Sequence, residues 1–195
     1  MVKVLQIGAT GQVGYALMHA LTEAGHDVTV LVRDAGRLAF PDRVKVVAKG
    51  EFTAESFSEV LTNAECAVYG VGLPEQFVFD TEIFDRINRR LLGTFLTALD
   101  TAGVGRLIYI STYEVFSPRD GVIREDHPVV AQPLGLSPYF SSMTRAYQDV
   151  TAFANRTKIR LTTIHPAAVY GGLNTGDGFT AATRTCSTGE YGDCP

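Results

Sequence analysis

The chain of 195 residues has no tryptophan, three cysteines and four histidines, and its 17 lysines and arginines are outnumbered by 21 aspartates and glutamates. Each shortage excludes something. A formal net charge of −4 offers no attraction to a phosphate backbone or an anionic bilayer, so neither nucleic acid nor membrane is an expected partner. Long apolar runs are missing as well. The chain opens MVKVLQIG, too short a run for a signal peptide or a membrane span, which makes the cytoplasm the expected compartment. The cysteines do not make a metal site. Cys66 lies in the apolar run CAVYGVG and reads as a core thiol, while Cys186 and Cys194 stand in TCSTGEYGDC with no histidine beside them. The histidines at 19, 26, 127 and 165 lack ligand spacing too, so no metal is expected.

What remains is a hydrophobic fraction of 46%, enough for one sizeable core in a chain of this length. Strand and helix signals alternate from the first residue. Apolar, largely β-branched runs at 2–7, 26–33, 43–50, 66–72, 106–112 and 158–171 read as strands buried on both faces. Helical periodicity falls between them at 12–25, 53–64, 81–102 and 138–157. Six strands with intervening helices imply right-handed βαβ crossovers. The expected fold is α/β: a doubly wound parallel sheet, a Rossmann fold with helices on both faces. It should occupy residues 1–172. Residues 173–195, rich in glycine and threonine and without apolar period, read as a loosely ordered tail.

GATGQVG, residues 8–14, stands between the first strand and the first helix. Its three glycines have separate duties. Gly8 permits the tight turn, Gly11 lets the backbone approach a pyrophosphate, and Gly14 lets the helix pack closely on the strand. Thr10, Gln12 and Val13 belong to the same cofactor-binding loop, where the helix N-terminus presents free N–H groups to the phosphates. The end of the second strand, LVRDAGR, chooses the cofactor. Arg33 and Arg37 suit the 2′-phosphate of NADP through charge-assisted bonds. Asp34 is the competing reading, since an acid there would bind the ribose 2′-hydroxyl of NAD.

With GATGQVG (8–14), LIYISTYEVF (107–116), PYFSSM (138–143) and IHPAAVYG (164–171) in this order, the chain resembles the extended short-chain dehydrogenase/reductase superfamily, its NAD-dependent epimerase/dehydratase branch. The resemblance covers about residues 1–172. It implies a nicotinamide over the ends of strands four to six and substrates that are sugar nucleotides or other hydroxyl and carbonyl compounds. It sets Thr112 as the hydroxyl that bonds the substrate oxygen and Tyr139 as the general acid/base, with Tyr139, Pro166, Ala167 and Val169 beside the nicotinamide. It also implies that 173–195 is the remnant of a substrate lobe. The long helices 81–102 and 138–157 often form a homodimer interface in relatives, the equal alternative being that their apolar faces pack on the sheet.

Two positions depart from that pattern. Met143 falls where the family has a lysine, whose charge would lower the tyrosine pKa and whose ammonium would hold the nicotinamide ribose. A thioether does neither. It marks impaired hydride chemistry, a catalyst working another way, or plain packing. In RINRRLLGT, Arg90 stands where the family's asparagine is expected, and Asn88 comes two residues early. Among lesser candidates, Glu114, Asp120, Glu125 and Asp126 read as a solvated acidic loop, one of which could serve as a base. His165 reads as a residue bonded to backbone, with proton carriage as the alternative. The sequence thus leads to an NADP(H)-binding oxidoreductase or epimerase/dehydratase-type enzyme. The other reading is a non-catalytic NADP(H)-sensing regulator like NmrA-type proteins.

Overall fold

The computed structural model describes residues 1–38, 41–73, 80–117, 121–130 and 137–169. The expected tail at 173–195, with Cys186 and Cys194, and the acid Asp120 lie outside the described residues.

Six strands form one sheet: β1 (Lys3–Ile7), β2 (Asp27–Val32), β3 (Lys45–Ala48), β4 (Cys66–Tyr69), β5 (Arg106–Ile110) and β6 (Arg160–Ile164). Their order is β3-β2-β1-β4-β5-β6, and every pairing is parallel. The order reverses between β1 and β4. In an open α/β sheet that switch point is where a crevice opens at the carboxyl ends of the strands. GATGQVG leaves β1 at that switch point.

Helix α1 (Gln12–Glu23) covers one face, packing Met18 against Val28, Val30 and Val32. Helices α2 (Ala54–Leu61), α4 (Leu91–Ala102) and α5 (Pro138–Thr157) cover the other. There Phe57 meets Phe95 edge-on at 5.3 Å, and Tyr69 and Tyr109 lie beneath with centroids 6.4 Å apart. Such aromatic pairs add to the area that each ring removes from water. Alternate residues of one strand serve opposite faces: Leu5 and Ile7 join the α2/α4 side, and Val4 the side of α1.

Element ends follow local chemistry. Ser137 caps α5 by accepting from the Phe140 N–H at 3.3 Å, and Pro138 opens the helix, where a missing N–H costs nothing. Thr53 and Ser56 cap α2 reciprocally. Within the expected strand-and-loop segment 158–171, strand β6 ends at Ile164, shortly before Pro166, which has no N–H to donate to a ladder. Strand β5 ends at Ile110, since Thr112 already opens a short helical turn, Tyr113–Val115. The expected helix 81–102 is also not uniform. It comprises a turn α3 (Glu82–Phe84), a π-helical segment Asp85–Arg90, and α4.

Candidate functional site

The glycine loop is fixed by backbone contact. Gly8 has φ +93°, and a Cβ there would stand 2.5 Å from the carbonyl oxygen of Gly70. A Cβ on Gly14 would lie 2.0 Å from the Gly8 oxygen. Both positions exclude a side chain because the turn and the α1–β1 approach are already closed. Gly11 differs: its nearest neighbour would be 3.8 Å away, and it stands exposed at the N-cap of α1. Thr10 is exposed beside it, while Gln12 and Val13 are half-buried on the first turn. From below, Gln6 Nε2 donates to the Gly14 carbonyl at 2.6 Å, tying the strand to the loop. The first turn of α1 carries no acid, so nothing there opposes an anion at the positive end of the helix dipole. These residues fit a dinucleotide pyrophosphate: an open backbone, free N–H groups and a Cα with no side chain in the way.

Arg33 follows β2 directly, and Arg37 ends a short turn at Ala35–Arg37; both are exposed, and no ion pair occupies either among the described residues. Asp34 is otherwise engaged. Its Oδ1 accepts the Gly36 N–H at 2.9 Å and caps that turn.

The second half of the site lies at the ends of β5 and β6. The Ser111 N–H donates to the Ile164 carbonyl at 2.8 Å and the Tyr113 N–H to the Pro166 carbonyl at 3.3 Å, so the two strand ends stay zipped past the sheet. His165 completes the joint: Nδ1 lies 3.0 Å from the Thr112 carbonyl and Nε2 lies 3.1 Å from Thr163 Oγ1. A carbonyl only accepts, so the ring proton sits on Nδ1. Its ring packs against Phe116 at 4.6 Å and Tyr147 at 4.9 Å. The backbone-bonded reading of His165 matches this geometry. Thr112 is 8% exposed, and its hydroxyl donates to Glu114 Oε2 at 3.0 Å. Glu114 is half-buried, whereas Glu125 and Asp126 are exposed, as a solvated loop requires. Val169 is exposed and Pro166 half-buried at the same edge.

Helix α5 brings Tyr139 to this edge. Its ring packs on the cluster of Val115, Phe116 and Met143 and meets Phe84 at 6.1 Å and Phe140 at 5.3 Å. Met143 is 6% exposed within that cluster, so its thioether serves packing. Thr112 and Tyr139 thus flank one short turn, Tyr113–Val115. The glycine loop stands across the switch point, at the end of β1.

A buried amide supports this side. Asn88, 1% exposed in the π-helical segment, accepts the Leu73 N–H at 2.7 Å and donates through Nδ2 to the Leu73 carbonyl at 3.3 Å. Nδ2 also donates to Ser142 Oγ at 3.0 Å, and the Ser142 hydroxyl donates to the Tyr139 carbonyl at 2.7 Å. Sequence spacing pointed to position 90. However, Arg90 points outward with its side chain 72% exposed and pairs with Asp85. The wider i→i+5 turn displaces residues around the helix axis, which is why Asn88 is the residue that faces inward. Nothing in the sequence signalled Ser142.

The fold and the loop define a dinucleotide-binding Rossmann protein. Residues 8–190 match the family described as NAD(P)H-binding, and the chain belongs to that family. It is 32% identical over 148 residues to a UDP-glucose 4-epimerase of Azospirillum brasilense, a match covering 72% of this chain and 41% of that protein. Among solved structures, gox2253 superposes with a TM-score of 0.85 at 23% identity, over 98% of this chain and 59% of its own. MoeE5, solved with UDP-glucose and NAD, superposes with a TM-score of 0.77 at 26% identity, over 98% of this chain and 64% of its own. The chain thus spans less than half of the epimerase and about three-fifths of the two solved proteins. Among the described residues, no helix is long and apolar enough to cross a membrane, and no cluster of three metal-ligating side chains forms.

Proposed function

We propose that this chain is an NADP(H)-binding oxidoreductase or epimerase-type enzyme acting on a hydroxyl or carbonyl group of a sugar nucleotide. The observation that carries the reading is the placement of Gly11, open at the head of α1, between two glycines closed by backbone. The pyrophosphate would lie there, with the 2′-phosphate between Arg33 and Arg37. Engagement of Asp34 in its own turn favours the phosphate over a ribose hydroxyl. The bound dinucleotide supplies a hydride acceptor or donor. The chain's own part is to place Thr112 and Tyr139 on the substrate oxygen and to exclude water with the Phe84, Phe116 and Tyr147 rings. The epimerase relative and the sugar-nucleotide complex of MoeE5 support the substrate class.

A second reading has one observation of its own. Met143 sits in an apolar cluster on the helix face of Tyr139, where the family would place a lysine. That favours a protein that binds NADP(H) and reports it to a partner without hydride transfer. Single-turnover reduction of bound NADP⁺ by UDP-glucose separates the two. Turnover by the wild type supports the enzyme. NADPH binding without turnover, in the wild type and in Met143→Lys alike, supports the sensor.

A further inference from the structure

The hydrogen bonds of Thr112 account for almost all of its hydroxyl. Oγ1–H donates to Glu114 Oε2 at 3.0 Å, and the Glu114 backbone N–H donates to Oγ1 at 3.4 Å. A threonine hydroxyl has one proton and two lone pairs. The proton is directed at the carboxylate and one lone pair at the backbone. What Thr112 offers a ligand is its second lone pair, so it faces an incoming group as an acceptor. The backbone cannot swing away to change this, because the Thr112 carbonyl is held by His165 Nδ1 and the next N–H by Pro166. A side chain that accepts is suited to a substrate hydroxyl rather than to a carbonyl.

We propose that Glu114 is the terminal proton acceptor for oxidation of a secondary alcohol, with Thr112 as the relay. The inference rests on the enzyme reading above. In the step, the substrate hydroxyl gives its proton to Thr112 Oγ1 as Thr112 passes its own proton to the Glu114 carboxylate. The carbinol C–H leaves as hydride to an oxidised nicotinamide dinucleotide, and the C–O bond becomes C=O. The alcohol loses two electrons and the dinucleotide gains them. One proton remains on Glu114. In reverse, neutral Glu114 turns Thr112 into a donor toward the carbonyl. This relay supplies the proton acceptor at a site where Met143 brings no ammonium. Among the described residues, the other ionisable groups near this turn are Tyr139 and Tyr147 of α5 and His165 at the end of β6. Segment 121–130, whose Ile123 and Val129 pack on the same cluster, carries Arg124, Glu125 and Asp126, which are exposed, and His127, which is half-buried.

The test compares wild type, Glu114→Gln, Glu114→Asp and Thr112→Val in the full chain, with UDP-glucose and NADP⁺ as probes. NADPH affinity, read from nicotinamide fluorescence, should stay within about twofold in all four, which tests the cofactor reading by itself. Reduction of bound NADP⁺ should fall about 100-fold or more in Glu114→Gln, the size of a lost acid/base group, and recover in part in Glu114→Asp. The acid limb of its pH profile should vanish in Glu114→Gln. Without substrate, carboxyl NMR should show Glu114 titrating at higher pH in Thr112→Val, because the carboxylate loses a donor. Wild-type rates in Glu114→Gln, an unmoved Glu114 titration, or a wild type that binds NADPH and never reduces NADP⁺ would each overturn the relay. A wild type that binds no cofactor would overturn the enzyme reading and the relay together.

Discussion

Asn88 grips Leu73 at both backbone groups, accepting its N–H at 2.7 Å and donating to its carbonyl at 3.3 Å. One side chain thereby stands in for a strand partner to the loop that leaves β4. Through Ser142, the same amide reaches the carbonyl of Tyr139. Asn88→Ala should leave these part-buried groups unsatisfied and cost about 1–3 kcal/mol. In a chain of this size each kcal/mol lowers Tm by about 2–4 °C. Calorimetry on the two proteins would read this, and an unchanged Tm would mean that the amide is replaceable by water.

The three loop glycines should separate by function. Gly14→Ala places a Cβ at 2.0 Å from a carbonyl oxygen, and Gly8→Ala combines a similar clash with φ +93°. Each should cost about 3 kcal/mol or more, at the upper end for overpacking. Gly11→Ala has room, with its nearest contact at 3.8 Å, and its stability should stay within about 1 kcal/mol of wild type. On the proposed reading its defect should be in NADPH affinity, because the methyl group would stand where the pyrophosphate approaches. Parallel melts and titrations would check both halves.

How far the sequence carries is visible in this loop and in the helix beyond it. GATGQVG, its place between strand and helix, and the alternation of strand and helix signals are local patterns, so the loop and the parallel α/β sheet were readable from the sequence, whereas the strand order β3-β2-β1-β4-β5-β6 comes from the structure. The Asn88 clamp was not readable either. It depends on a π turn that shifts a helix face and on Ser142 from a helix 54 residues away. The Thr112–Glu114 bond is also hidden, since four acids in a loop look alike until one turn folds back on its cap.

The arginine pair predicts a cofactor-specific loss. Arg33→Ala and Arg37→Ala should each weaken NADPH binding by about 10- to 100-fold, corresponding to about 1.5–3 kcal/mol for a hydrogen bond to a charged group. NADH affinity should stay unchanged, and NADPH binding should weaken as salt rises, since both guanidinium groups are exposed. Equal loss for the two dinucleotides would remove the 2′-phosphate assignment.

Tyr69 gives a stability prediction away from the site. Its hydroxyl is fully buried without a hydrogen-bond partner, and burial pushes its pKa well above the ordinary value, with Tyr109 adding to the shift. Burial raises Tyr109 likewise. Tyr69→Phe should therefore stabilise the fold by about 1 kcal/mol, as removal of an unsatisfied buried group does. The sign of the pH effect follows from the raised folded-state pKa. The contribution is fully present below the unfolded tyrosine value of about 10 and declines above it, as the unfolded chain releases protons that the folded one keeps. Urea melts of wild type above that pH should show falling stability, and Tyr69→Phe should fall less steeply. An equal slope would contradict the assignment.

On the proposed function, the loop at residues 8–14 and the arginines after β2 would hold NADP(H). The most direct measurement is a titration of the protein with NADPH, and in parallel NADH, followed through the fluorescence of the reduced nicotinamide. The chain has no tryptophan to interfere. The expected result is saturable NADPH binding at least about tenfold tighter than NADH, the ratio that one charge-assisted contact supplies. Tighter binding of NADH would contradict the role of Arg33 and Arg37, and binding of neither would contradict the account as a whole.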